Sequence, residues 1–390
     1  MKERILLLHC DGTQSLPIAR SIKKMGFVVD GVFCSKLTYG YGSSCISKKF
    51  MFHGDMKNLN EYFLFIMNIL SSTSYRTIIP LNDESAEMLS VYQSQLKVYT
   101  EYKMPTSDTF AKGYDKHLLM EICQENGYPH PQTTVVHGDS LSEINLDKLD
   151  FPLLIKPNYT CGGRGMTYVD NKEDLKNIFP QIYKSYGECH LQTFIPAGGA
   201  QVEVQLYVDE SGNLLNSSVI YKYRWYPENG GSSCCNKSIQ NDKIVKTCHQ
   251  ILNKIGWVGF ADFDTIENPQ THELLIMELN PRVPACVRTA MEAGIDWGKI
   301  IINQYLNLPD QKTYQYNKEV YLRHLGFETL WFLYSKNRFK TYPNWFKLIG
   351  SNIYYQDLSW KDIIPFILGT IGNIKKQLSP SFRKSKAGLR

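Results

Sequence analysis

The stretch LLIMELNPRVP, Leu274 to Pro284, sets a carboxylate at Glu278, an amide at Asn280 and a guanidinium at Arg282 inside an otherwise apolar run. A β-strand alternates its faces with a period of two, so the three polar groups project from one side while Met277 and Leu279 enter a core. Just upstream, VGFADFDTI (Val258 to Ile266) alternates in the same way, with Asp262 and Asp264 on one face. The turn formers of ENPQTHE lie between the two runs, which predicts a β-hairpin whose turn centres near Pro269 and Gln270. That register sets Asp262 opposite Glu278. Like charges facing each other across a ladder destabilise it unless something positive lies between them. A hard divalent cation resolves the conflict, because Mg²⁺ (or Mn²⁺) takes carboxylate and amide oxygens and leaves positions open for substrate phosphates. Asp262, Glu278 and Asn280 are therefore the candidate metal ligands.

Phosphate handling has a second candidate in FPLLIKPNYTCGGRGMTYV, Phe151 to Val169. An apolar strand ends in Lys156, a loop carries Gly162, Gly163 and Gly165, and a second strand follows. Glycines permit positive φ and close approach, so backbone N–H groups can point at phosphate oxygens while Lys156 adds positive charge from a rigid strand. The GK[ST] ending of a Walker loop is missing, and a hairpin that closes over a nucleotide fits better. Downstream, Gln201, Glu203 and Gln205 share one strand face. They suit ribose hydroxyls, or else form a solvated sheet face. Lys222 and Arg224 alternate with aromatics in YKYRWYPENGGSS, as a basic substrate wall or as amphipathic packing.

These groups need elements to position them. RILLLHC reads as a buried parallel strand, followed by helical spacing at Ile18, Ile22 and Met25, a strand FVVDGVFC, and a second strand-to-helix pattern in TIIPLNDESAEMLSVY. This β-α-β alternation predicts a doubly wound parallel-sheet domain over 1–105. From residue 106 to about 310 the pattern becomes mixed strands and helices, with Ser107 as the expected cap of the first helix. Residues 311–390 form a third region, aromatic and basic, of uncertain form. Its basic character is concentrated: residues 331–390 carry +9 of a net +5, leaving −4 on residues 1–330.

The ordered set of Lys116, Lys156 with its glycine loop, QTFI, VEVQ, ADFD and MELNPR resembles the ATP-grasp family, in particular its carbamoyl-phosphate-synthase-like and biotin-carboxylase-like branch. The resemblance implies a nucleotide held between two α+β lobes that meet near residues 192–196, after a Rossmann-like preceding domain. Lys116, which alone reads as a surface charge, would join Lys156 on the phosphates, with Gly162, Gly163 and Gly165 covering them. Gln192, Phe194 and Ile195 would form the adenine hinge, Gln201 or Glu203 would take the ribose, and Asp262, Glu278 and Asn280 would hold the metal. Arg282, with Lys222 and Arg224 nearby, would stabilise charge at the reacting centre. The chain departs from the family pattern at Gln192-Thr193, where a Glu-Lys pair is common, and at Asp262, where a metal-ligand Glu is usual.

The implied activity is Mg-ATP-dependent ligation of a small carboxylate, such as an amino acid, to an amine or similar nucleophile through an acylphosphate. A non-catalytic ATP-binding protein that presents a surface to a partner is the alternative. The composition, 43% hydrophobic and 21% charged, is that of a globular protein. The apolar run at the N-terminus is too short for a secretory signal and no run approaches a membrane span, so a cytoplasmic location is expected. Ten scattered cysteines without a CxxC pair read as reduced and structural. No nucleic-acid partner is expected, and a homodimer stays open. The tail WKDIIPFILGTIGNIKKQLSPSFRKSKAGLR is apolar and then basic, as a segment resting weakly on an anionic membrane would be, although Pro365 and two glycines count against an amphipathic helix there.

Overall fold

The computed structural model describes residues 2–158, 165–228, 232–309 and 313–378. Three sheets organise them. The first is wholly parallel, in the order β3-β2-β1-β4, from β1 (Arg4–Leu8), β2 (Val28–Phe33), β3 (Ile46–Met51) and β4 (Thr77–Pro80). Its central strand has Ile5, Leu6, Leu7 and Leu8 fully buried, because helices such as Ser15–Lys24 and Leu59–Ser72 cover a doubly wound sheet. This is the expected N-terminal unit.

The second sheet is small and antiparallel, ordered β5-β8-β6-β7, from β5 (Thr133–Val135), β6 (Leu153–Pro157), β7 (Thr167–Val169) and β8 (Cys189–Thr193). It owns a separate core in which Leu153, Ile155 and Leu191 meet Leu175 and Phe179 of the helix Lys172–Tyr186. Gly162 and Gly163 lie outside the described residues. Gly165 has φ +76, the left-handed region that a side chain rarely enters.

The third sheet has seven strands: β9 (Gln201–Val208), β10 (Leu214–Tyr226), β11 (Ser232–Ile239), β12 (Gly259–Glu267), β13 (Leu274–Asn280), β14 (Tyr321–Arg323) and β15 (Ile353–Tyr355). Their order is β13-β12-β9-β10-β11-β14-β15. The two last strands come from the region beyond residue 310, whose form the sequence left open: it extends this sheet by two strands, β15 forming the edge. The helix entering the middle of the chain is capped by Thr106, one residue before the expected Ser107.

The hairpin forms between β12 and β13, but in another register. Glu267 pairs with Leu274 across a loop centred later than expected, and Met277 is an extra residue between the pairs Thr265–Ile276 and Asp264–Glu278. Asp264 therefore stands opposite Glu278, and Asp262 opposite Asn280. Met277 is only half-buried, whereas Ile276 and Leu279 enter the core.

Near the C-terminus, the helix Ile364–Leu378 packs on the loop after β2. Pro365 sits in its first turn, where a missing N–H is harmless, so the residue expected to oppose a helix here fits it. Nine described cysteines are free thiols, most of them buried, and Cys161 is outside the described residues.

Candidate functional site

The inward face of β9, β10, β12 and β13 gathers Glu203, Lys222, Asp262, Asp264, Glu278 and Asn280, with Arg282 following β13. These side chains line a cavity of about 490 Å³. Lys222 Nζ lies 2.5 Å from Asp264 Oδ1 and 3.0 Å from Glu203 Oε2. Asn280 Nδ2 donates to Asp264 Oδ2 at 3.3 Å. Lys116 Nζ lies 3.1 Å from Glu278 Oε2. It begins the helix Lys116–Glu125 because the Asp115 side chain accepts from the N–H groups of His117 and Leu118 and caps it. Arg282 donates from Nε to Asp83 Oδ1 at 3.1 Å and from Nη2 to Asn280 Oδ1 at 3.3 Å, and Nη1 is 3.9 Å from Asp262 Oδ2.

The charges do not balance evenly. Burial opposes ionisation of Glu278, but Lys116 and Lys156 outweigh it and hold its carboxyl down at about 2. Glu203 is likewise held low against its burial, by Lys222 and by the thiol of Cys286, which donates at 2.8 Å. Asp262 goes the other way. Burial, with Glu203 and Asp264 close by, pushes it well above the ordinary carboxylate range, and its Oδ1 is buried without a hydrogen-bond partner. Asp264 is also raised, first by burial and then by its acidic neighbours. An unpartnered carboxylate oxygen in a carboxylate-rich pocket suits a bound cation.

Lys156 ends β6 almost fully buried, and its Nζ donates to Gln192 Oε1 at 2.9 Å. Burial, with Lys116 nearby, lowers its pKa to about 8. Gln192 is wholly buried and donates in turn to Thr133 Oγ1 at 3.0 Å, so its side chain positions Lys156. The Phe194 N–H is already given to Pro152 O, and its ring packs edge-on against Tyr168; Ile195 is half-buried. Gln201 is half-buried two residues outward from Glu203. The face that carries Glu203 and Gln205 is buried, which excludes the solvated-face alternative.

Arg224 is a correction. Although two residues from Lys222, it is 2% exposed and holds Glu328 through Nε at 2.7 Å and Nη2 at 3.0 Å; its Nη1 donates to Thr341 Oγ1 and Pro343 O. Arg323 joins the same carboxylate, and Trp331 lies under the Arg224 guanidinium at 5.1 Å. Every donor group of Arg224 is committed, so it forms no substrate wall. Lys222 does line the cavity, with its charge matched by two carboxylates.

Sequence reasoning missed the other walls. His9, Asp11 and Thr13 reach the cavity from the loop after β1, and His324, Gln356, Asn373 and Lys376 reach it from the C-terminal region. His9, Asp11 and Cys34 place donor atoms within 4.8 Å of one another at that end. A sheet register could not have found these, since only the packing of distant segments brings them in.

This arrangement matches known proteins. Residues 115–301 fit the family described as carbamoyl-phosphate synthase L chain, ATP binding domain. The matched segment is just under half of the chain, and it supports the resemblance to the ATP-grasp superfamily. The chain is 26% identical over 221 residues to the D-aspartate ligase of Enterococcus faecium, covering 53% of itself and 52% of that protein. It spans about half the length of that curated relative, and 36% of the C-terminal section of the carbamoyl phosphate synthase large chain of Methanopyrus kandleri. Among solved structures, biotin carboxylase from Campylobacter jejuni, a complex with βγ-ATP, superposes with a TM-score of 0.67 at 17% identity, covering 81% of this chain and 74% of that one. The L-amino acid ligase of Bacillus licheniformis gives 0.63 at 13%, covering 82% and 79%. Likeness at this identity concerns the fold.

Proposed function

We propose that the protein is an ATP-dependent ligase that activates a small carboxylate, an amino acid or a relative of one, as an acylphosphate and joins it to an amine. One observation carries the reading: Asp264 and Glu278 face each other across one rung, flanked by Lys116, Lys222 and Arg282, on the wall of the cavity. The ligase names among the relatives support the substrate class.

Asp262, Asp264, Glu278 and Asn280 would hold Mg²⁺ (or Mn²⁺). Asp262, the ligand expected from the sequence register, stands opposite Asn280, one rung from the Asp264–Glu278 pair and near Arg282. The orphaned Asp262 oxygen and the raised Asp262 and Asp264 are the local signs that a cation fits. When bound, the ion would supply charge neutralisation at the transferring phosphoryl group.

The chain's own residues then divide the work. Lys156, protonated below about pH 8, and Lys116 bind ATP phosphates. Phe194, Ile195 and Gln201 line the nucleotide side, Gln192 fixes Lys156, and Glu203 fixes Lys222. Arg282, permanently charged and anchored by Asp83, orients the substrate carboxylate. One carboxylate oxygen attacks the terminal phosphorus of ATP and ADP leaves. The amine, losing a proton, attacks the acyl carbon and phosphate leaves. The cavity beyond Arg282, walled by His9, Asp11 and Lys376, is where the acceptor would sit. ADP release measured over a panel of amino acids tests the proposal. ATP binding without ADP release under any pair of substrates would show a pure nucleotide binder instead.

A further inference from the structure

The helix Ile364–Leu378 has two unlike sides. Its inner side cannot turn away from the protein: a Cβ on Gly369 would meet the Tyr39 ring at 2.2 Å, and one on Gly372 the Leu37 carbonyl oxygen at 2.0 Å. Asn373 donates to Tyr39 Oη at 2.7 Å. Asp362, just before the helix, is held by Arg20 and by Ser43. The helix is thus fixed in rotation, and its outer side is outward by construction.

That outer side is apolar. Ile364, Ile367, Ile371 and Ile374 recur at steps of three and four, the spacing of one helical face, and each is roughly half exposed. Trp360, four residues before the helix begins, is 87% exposed. Scattered surface apolar residues are ordinary, but four isoleucines in register, with a bare tryptophan shortly before them in the chain, are a patch that needs a cover.

The surrounding charge selects the cover. Lys375 occupies the outer side of the last turn, and residues 379–390 add Arg383, Lys384, Lys386 and Arg390. That same twelve-residue stretch holds only Phe382 and Leu389 as large apolar side chains, too few to cover the isoleucines itself. A second copy of the chain would bring another basic segment against this one. An anionic lipid surface takes both features together: isoleucines enter the acyl boundary, tryptophan rests at the headgroup level, and the basic residues meet lipid phosphates. Among the described residues no helix is long and apolar enough to cross a membrane, so the contact is peripheral.

We propose that this helix docks the protein on an anionic membrane surface. Since Asn373 and Lys376 of the same helix line the cavity, docking brings the cavity close to the lipid headgroups.

Co-sedimentation of the full chain with phosphatidylglycerol-containing vesicles, and with pure phosphatidylcholine vesicles, tests this. Binding is expected to the anionic vesicles only, weakening steeply with added salt. Ile367→Ser/Ile371→Ser is expected to lower the partition at least about tenfold, since two buried side chains are lost. Lys384→Glu/Lys386→Glu is expected to lower it comparably. Circular dichroism checks that both variants fold, and no step of the proposed reaction uses these residues. Equal binding to neutral vesicles, or none to either, overturns the proposal. So does a dimer in sedimentation velocity that the isoleucine variant dissolves, because the patch then belongs to a second copy.

Discussion

Lys222 and Arg224 leave the same strand two residues apart and enter opposite kinds of buried charge. Around Arg224, two arginines share the Glu328 carboxylate, main-chain carbonyls and Thr341 take the remaining donors, and Trp331 covers the cation. Around Lys222, the carboxylates of Glu203, Asp262, Asp264 and Glu278 crowd together, one of their oxygens has no partner, and two of the four are pushed above their ordinary range. A network with all groups matched holds a sheet edge in place. A network that leaves a buried carboxyl oxygen without a partner is open to a ligand.

The contrast can be broken at several points. Glu328→Ala strands two buried arginines, and about 3–5 kcal/mol of stability is expected to go, read by denaturant unfolding. The molecules that remain folded should release ADP at the parental rate; loss of turnover without loss of stability would return Arg224 to the reaction. Glu278→Ala should do the reverse, leaving the fold intact while ADP release drops by about 10²–10³-fold. Asp264→Asn is expected to match it, and an unchanged rate in either removes that residue from the metal site.

The remaining two effects are smaller. With the Lys156 pKa near 8, the ammonium that meets phosphate is lost as pH rises. The kcat/KM for ATP should therefore fall through about pH 8, roughly tenfold per pH unit above it, and Lys156→Met should be low at every pH. Asp262→Asn should stabilise the cation-free protein by about 1 kcal/mol at neutral pH. The sign follows from the raised pKa. The unfolded Asp262 loses its proton above its ordinary value of about 3.9 while the folded one keeps it, so the native protein loses stability as pH rises beyond that point. Below it the variant and the parent should melt alike, and added Mg²⁺ should erase the difference at neutral pH.

Much of this was legible from periodicity. The buried run at Ile5–Leu8 announced a parallel strand, and the alternation around Asp262 and Glu278 announced two neighbouring strands with carboxylates on one face. The pairing itself was not legible, because a bulge at Met277 and a later loop centre shift the register by about two residues. Arg224 misled for a related reason: spacing gives the face of a strand, while only packing shows that Glu328, more than a hundred residues on, claims the guanidinium. Pro365 and the glycines of the last helix read as breakers. The proline lies in the first turn, and Gly369 and Gly372 are what let the helix approach Tyr39 and Leu37 so closely.

The cavity borrows walls from the loop after β1, from the hairpin at its centre and from the segment 324–376. Its walls therefore depend on parts that leave the ribosome far apart in time, and the segment carrying Glu328 and β14 arrives late. A chain cut before residue 320 would not be a smaller version of the same protein. It would carry a bare guanidinium at position 224 and a chamber missing the wall that His324, Gln356, Asn373 and Lys376 supply.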